Sequence, residues 1–237
     1  AGFALDVFIE SQYIPRRGRR HWRGASNGRL WFLRCAACAG RFGIAVWYAP
    51  AAVNIKYSMN EKDEFIAASI YKLPLAMLYY DKVNEGEYTL DSTFTYSGYM
   101  HEDAGVISSD YGIGSQVPLS DLLNDLIIYS DNDAGHILYE NLGGWKEYKE
   151  AMTKYTDSIS ENYYTMDNVS TANTMNDVVT YLYDHKEDYK GLIKNMEEAE
   201  PGEYLDRDTQ LSMPQKYGMY DSALNSVGFV ECNTSYS

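Results

Sequence analysis

The run Phe65-Ile66-Ala67-Ala68-Ser69-Ile70-Tyr71-Lys72-Leu73-Pro74-Leu75-Ala76-Met77-Leu78 constrains the fold more than any other stretch of the chain. Its apolar residues fall on most sides of a helix, so the segment must be buried nearly all round and the rest of the chain has to wrap it. Pro74 is tolerated only near the start of a helix, where backbone N–H groups lack partners anyway, so the helix is predicted to begin near Ile70. Ser69 then stands at the positive end of that helix, and Lys72 follows one turn on, on the same face. A hydroxyl close to free backbone N–H groups and to an amine is a nucleophile beside a base, with donors for an oxyanion. The same pattern also describes a serine cap ahead of a buried helix with a snorkelling lysine, so the motif counts only in context.

The context begins with what the totals exclude. Hydrophobic residues make up 45% of 237, enough for a core, and 23 tyrosines favour a packed, hydrogen-bonding interior over disorder. A net charge of −14 argues against nucleic acid or an anionic membrane surface as partner. No apolar stretch is long enough to span a bilayer. The chain starts at Ala1 without a positive-then-apolar leader, as a processed chain or a fragment would. Cys35-x-x-Cys38 has no second pair or histidine partner, Cys232 stands near the end, and His21, His101, His136 and His185 are scattered. These are weak metal or redox signals, and no cofactor or metal is expected.

Residues 1–41 differ from the remainder. They hold eight arginines, no lysine and only Asp6 and Glu10, a charge of +6 that leaves −20 on the rest. This atypical basic segment is expected to be poorly ordered; a nucleic-acid or membrane arm at Arg16-Arg17-Gly18-Arg19-Arg20 is the alternative reading. From Phe42 a β-hairpin is predicted, with Gly43–Tyr48 and the alternating Val53, Ile55 and Tyr57 as its strands. The helix after Ser69 closes near Gly86, and residues 87–118 form a turn-rich excursion. Ser120 is predicted to cap a helix carrying Leu122, Leu123, Leu126 and Ile127. That helix breaks at Ser130-Asp131-Asn132, and a second runs from Ala134 to Gly143-Gly144. Further helices are expected over 145–154, after the cap Ser170-Thr171, and over 188–198, with a loop at 156–169. Two strands, 213–220 and 225–230, end the pattern. Residues 42–68 and 205–237 are thus expected to form a sheet region around a helical region, 69–204, with 42–237 expected to act as one catalytic unit if the motifs below carry chemistry.

Three motifs now stand in one order. Ser69-x-x-Lys72 is followed 61 residues later by Ser130-Asp131-Asn132, and Lys216-Tyr217-Gly218 comes 86 residues after that. In this order and placement they are a strong signal, and over residues 42–232 the chain resembles the penicillin-recognising serine enzymes, most closely the class A β-lactamase-like serine hydrolases. The resemblance implies an α+β fold, an antiparallel sheet flanked by helices with an inserted all-helical region, and a site in the cleft between. It implies Ser69 as acylated nucleophile, Lys72 as the group that helps remove its proton, and Ser130 as proton donor to the leaving nitrogen. Asn132 would hold the substrate amide. Lys216 would lower the pKa values of Lys72 and Ser130 and attract a carboxylate, and the backbone N–H groups of Ser69 and Met219, beside Gly218, would form an oxyanion hole. No metal is needed.

Departures from the family pattern bear on turnover. Efficient relatives carry a Glu-x-x-Leu-Asn stretch whose glutamate activates the deacylating water. Here Glu161 is the only glutamate in the corresponding loop, 158–168, and it lacks those companions, so it is a candidate base or a solvated carboxylate. Tyr217 replaces the small hydroxyl residue usual between lysine and glycine, which alters the carboxylate pocket. The family also expects a further strand and a long terminal helix after Val230, so the chain reads as truncated at its C-terminus and is expected to be marginally stable. The leading expectation is β-lactam hydrolysis. The alternatives are a penicillin-binding, D-Ala-D-Ala peptidase-like protein that deacylates slowly, and a non-catalytic envelope domain. The expected partner is a small β-lactam or cell-wall peptide, the expected state a monomer, and the expected place extracellular or in the cell envelope.

Overall fold

The computed structural model describes residues 2–13, 44–48, 55–100, 105–207, 213–221 and 223–234. Strands β1 (Gly2–Tyr13), β2 (Ile44–Tyr48) and β3 (Ile55–Met59) lead to the short strand β4 (Phe65–Ile66), a 3-10 turn (Ala68–Tyr71) and helix α1 (Lys72–Asn84). β5 (Thr93–Thr95), α2 (Val106–Asp110), β6 (Gln116–Pro118) and α3 (Leu119–Ile128) follow, then α4 (Asn132–Asn141) and α5 (Trp145–Met152). β7 (Val169–Ser170), α6 (Ala172–Asp184), α7 (Lys190–Glu198), β8 (Gln215–Tyr220) and β9 (Ala223–Thr234) complete the described chain.

Five strands form one antiparallel sheet in the order β3-β2-β1-β9-β8, so β8 is an edge strand. α6 covers this sheet over β1, β2 and β9, and the Tyr183 ring meets Phe229 edge-on at 5.4 Å. The helical region gathers around α1, which touches α3, α4, α5 and α7. Lys72 through Tyr79 are all buried, as a helix without a polar face must be, and each fully buried Leu or Met there contributes about 1.5–3 kcal/mol. Where the helix meets polar groups, tyrosines satisfy them: Tyr79 OH donates to Leu138 O at 2.7 Å, and Tyr155 and Tyr189 both donate to the Asp81 carboxylate at 2.5 Å. The architecture is the α+β arrangement expected from the sequence.

Local differences have local reasons. α1 opens through the 3-10 turn beginning at Ala68, because Ala68 takes φ +51° and turns the chain sharply out of β4. Ser120 lies in the first turn of α3 rather than capping it; Pro118, in extended conformation, is the cap residue. The excursion at 87–118 contains the β5–β6 pair and α2. Gly2–Tyr13, expected to share the disorder of the basic segment, is β1, paired with β2 on one side and β9 on the other. That expectation weighed the arginines and overlooked the mostly apolar stretch Phe3–Ile9 ahead of them. Residues 14–43, with every arginine of the segment and Cys35 and Cys38, lie outside the described residues, as does the side chain of Cys232.

The last two strands leave no room for a side chain where they meet the preceding segment. A Cβ on Gly228 would lie 2.4 Å from Pro214 O and 3.1 Å from Gln215 Cα, backbone atoms that cannot swing aside. Gly228→Ala is therefore expected to destabilise by about 1–3 kcal/mol, read as a lower urea midpoint with an unchanged slope.

Candidate functional site

The site is built around a strained turn. Ala68, φ +51°, sits in the left-handed region that residues with a Cβ avoid, directly before Ser69. Two asparagines hold it there. Asn168 accepts from Ala67 N–H through its backbone carbonyl at 2.9 Å, and its side-chain amide donates to Ala68 O at 2.8 Å. Asn225, buried on β9, donates to Ile66 O at 2.7 Å and Ala67 O at 2.9 Å. Ser69 itself is partly exposed.

One turn later the Lys72 side chain is fully buried, and its Nζ donates to Ser130 O at 2.5 Å and Asn132 Oδ1 at 2.6 Å, with Ser130 Oγ at 3.4 Å. These acceptors come from the break between α3 and α4, where Ser130 takes φ +58°. Asp131 shapes that break: buried, it caps α4 through Ala134 N–H at 2.8 Å and accepts from Val106 N–H at 2.8 Å and Ile107 N–H at 3.1 Å. The fold thus brings Ser69, Lys72, Ser130 and Asn132 to one place. The Lys72 amine faces the turn that carries Ser130 and Asn132.

The edge strand β8 closes the other side. A Cβ on Gly218 would stand 2.6 Å from Ser69 N and 2.8 Å from Ile70 N, so only glycine lets the strand lie this close to the turn. The strand's free edge thereby carries Met219 past Ser69, with the Met219 side chain 68% exposed. Lys216 is fully buried, and burial together with the nearby Lys72 charge pushes its pKa well below 10.5. Its Nζ donates to Tyr217 O at 2.9 Å rather than to Ser130, and lies 4.1 Å from the Tyr217 ring centroid.

The loop 156–168 forms the floor, and a lysine holds it. Lys149 on α5 is buried, and its Nζ donates to Tyr163 O at 2.6 Å, to Asp167 O at 2.5 Å and to Met166 O. Desolvation lowers its pKa, while Asp167 opposes that shift. Asn162 is tied to Glu64 through its backbone N–H at 2.9 Å and its amide at 2.8 Å. Glu161, its neighbour, has an exposed side chain with no hydrogen bond to Ser69, Lys72, Ser130 or Lys216. The group that the loop places against the turn before Ser69 is Asn168.

The sequence motifs do not include Asn168, Asn225 or Lys149. Lys149 left one faint trace, its spacing from Trp145 and Tyr148 on the inner side of α5, where the ammonium lies 5.7 Å from the Trp145 ring. The asparagines left none, since a single buried amide has no periodic signature.

The model of the beta-lactamase enzyme family matches residues 33–236. No curated protein matches the chain. Among solved structures, a beta-lactamase from Chitinophaga pinensis is similar at 20% identity and TM-score 0.60, over 75% of this chain and 80% of that one. TLA-1 extended-spectrum beta-lactamase is similar at 17% identity and TM-score 0.64, over 82% and 85%. A mutant of PBP-A, in an acyl-enzyme complex with penicillin G, is similar at 15% identity and TM-score 0.63, over 79% and 80%. At such identities the likeness to these structures is one of fold.

Two expectations follow from the packing behind the site. Asp125, buried near Asp131, Asp121 and Asp110, has its pKa pushed up from 3.8 to about 7, chiefly by desolvation. The folded protein then keeps a proton that the unfolded chain releases between about pH 4 and about pH 7, so this group's contribution to stability falls as pH rises through that window. Asp125→Asn should therefore be more stable than the parent at pH 8, by on the order of 2 kcal/mol, and nearly equal to it at pH 4, compared by urea unfolding. Asn225→Ala, which leaves the Ile66 and Ala67 carbonyls without their donor, should cost about 1–3 kcal/mol in the same assay.

Proposed function

The chain belongs to the beta-lactamase enzyme family, a family of hydrolases, and on that premise we propose that it hydrolyses β-lactams through an acyl-enzyme on Ser69. The observation that carries this reading is the buried Lys72 amine, one turn from Ser69 and held against Ser130 and Asn132. An amine one helical turn from a serine, and already in contact with a second hydroxyl, is suited to pass protons between the two.

In acylation, Ser69 Oγ attacks the lactam carbonyl and its proton passes to Lys72 Nζ in the unprotonated form. The oxygen of the tetrahedral intermediate is taken by the backbone N–H groups of Ser69 and Met219, which the close approach at Gly218 supports. Ser130 Oγ, 3.4 Å from Lys72 Nζ, gives its proton to the leaving nitrogen as the C–N bond breaks and regains one from Lys72. Asn132 orients the substrate amide, and Lys216 raises the positive potential that makes loss of a proton from Lys72 easier. Water then hydrolyses the ester and frees Ser69. Cell-wall peptides and β-lactams are met outside the cytoplasmic membrane, which makes the extracellular space or cell envelope the place of action.

A second reading, a penicillin-binding peptidase-like protein, is favoured by one observation. The loop offers Asn168 to the turn before Ser69 and leaves Glu161, its one glutamate, exposed, so the loop's described residues do not hold that carboxylate ready for the deacylating water. Deacylation is accordingly the slow step.

The test is intact-protein mass followed over time with a chromogenic cephalosporin, beside the colour change. An adduct that accumulates on the parent and is absent from Ser69→Ala is the expected result. Ser69→Ala should lower the rate of colour formation by at least about a thousandfold while leaving the fold intact. An adduct that survives Ser69→Ala, or the absence of both adduct and colour from the folded parent, would overturn the proposal.

A further inference from the structure

The environment of Lys216 carries a prediction about substrate charge that rests on the acylation reading above. A buried lysine in a cleft is the natural partner for an anionic group on a ligand. Here the ammonium folds back on its own strand, donating to Tyr217 O at 2.9 Å and lying over the Tyr217 ring, 4.1 Å from its centroid. An aromatic face attracts a cation through its quadrupole, and a ring in that position also occupies space that an anion would need.

The ring is held in place. Tyr204 stacks on Tyr217 with centroids 4.6 Å apart and planes 8° from parallel. Tyr204 takes φ +53°, a conformation that a residue with a Cβ adopts only when its surroundings impose it. Gln215, buried at the start of β8, does so: its Oε1 accepts from Leu205 N–H at 3.0 Å, and its amide donates to Ala199 O, Glu200 O and Glu203 O at 3.1–3.2 Å. One buried glutamine thus pins the segment 199–205 to the strand that bears Lys216 and Tyr217. Burial and the Lys72 charge further weaken Lys216 as a cation, and Glu200 opposes this.

We propose that Tyr217 is a specificity-determining residue: its ring, clamped by Tyr204, covers the Lys216 ammonium, so the site favours acyl donors that are neutral where that ammonium would otherwise meet a carboxylate. Tyr217 acts on the substrate through Lys216 and by occupying space, and leaves the chemistry at Ser69 to the other residues.

The experiment compares acylation rates, by intact mass, for benzylpenicillin and its uncharged methyl ester on the parent, Tyr217→Phe, Tyr217→Thr and Tyr204→Ala. The acid-to-ester rate ratio is expected to stay at the parent value in Tyr217→Phe, which keeps the ring. It should rise at least about tenfold in Tyr217→Thr, and in the same direction by less in Tyr204→Ala, which frees the ring without removing it. A variant that merely loosened the fold would slow both compounds and leave the ratio alone. A ratio unchanged in both Tyr217→Thr and Tyr204→Ala, or shifted equally by Tyr217→Phe, overturns the proposal while the acylation reading stands. No adduct with either compound on any folded chain overturns both.

Discussion

A lysine amine that is fully out of water must find acceptors, and the way Lys72 finds them sets the geometry of the cleft. The acceptors are Ser130 O and Asn132 Oδ1, so the break between α3 and α4 has to sit over the start of α1. That break is in turn fixed by Asp131, whose carboxylate satisfies backbone N–H groups of both α2 and α4. Removing a partner from such a set leaves a buried polar group uncompensated, which costs more than the hydrogen bond was worth. Three sequence-distant segments are thereby locked to one amine. The two hydroxyls that flank it, on Ser69 and Ser130, are positioned as a by-product of that locking.

Strain is concentrated at the same place. Ala68 and Ser130, the residue before one hydroxyl and the bearer of the other, are both left-handed, at about 1–3 kcal/mol each. Such conformations persist only where the surroundings over-determine them. For Ala68 the constraint comes from both sides, Asn168 from the loop and Asn225 from the sheet. The loop is itself anchored by the buried Lys149 ammonium on the carbonyls of Tyr163, Met166 and Asp167, so the floor of the cleft depends on a charge hidden in α5. The same logic recurs beside β8, where Gln215 imposes a left-handed Tyr204 and a stacked pair of rings.

What was readable without coordinates follows from local rules. The all-round apolar run at 70–79, with Pro74 in its first turn, predicts a central helix, and α1 is that helix. Thr171 reads as a cap and is one, accepting from Thr174 N–H, and the predicted break at 130–132 is where Asp131 caps α4. The two terminal strands and the hairpin alternate as strands do, and they pair in the sheet. The order of the three motifs pointed to the family. β1 was lost because charge a few residues further on outweighed a mostly apolar stretch, and Ser120 misled because a good cap residue one position inside a helix has the same sequence signature as one at its end.

The sequence by itself determined most of the longer elements, the central helix and the identity of the groups able to do chemistry, because propensity, periodicity and motif spacing are properties of neighbouring residues. Only the tertiary structure decided where Lys72 and Lys216 point, that Asn168 and not Glu161 meets the turn before Ser69, and that Tyr217 lies over an ammonium. Those outcomes depend on which backbone carbonyls and ring faces a buried polar group reaches across elements up to about 160 residues apart, as from Asn225 to Ile66. No local pattern records that distance. Burial compels each such group to find a partner, and only the packed fold says which partner it finds.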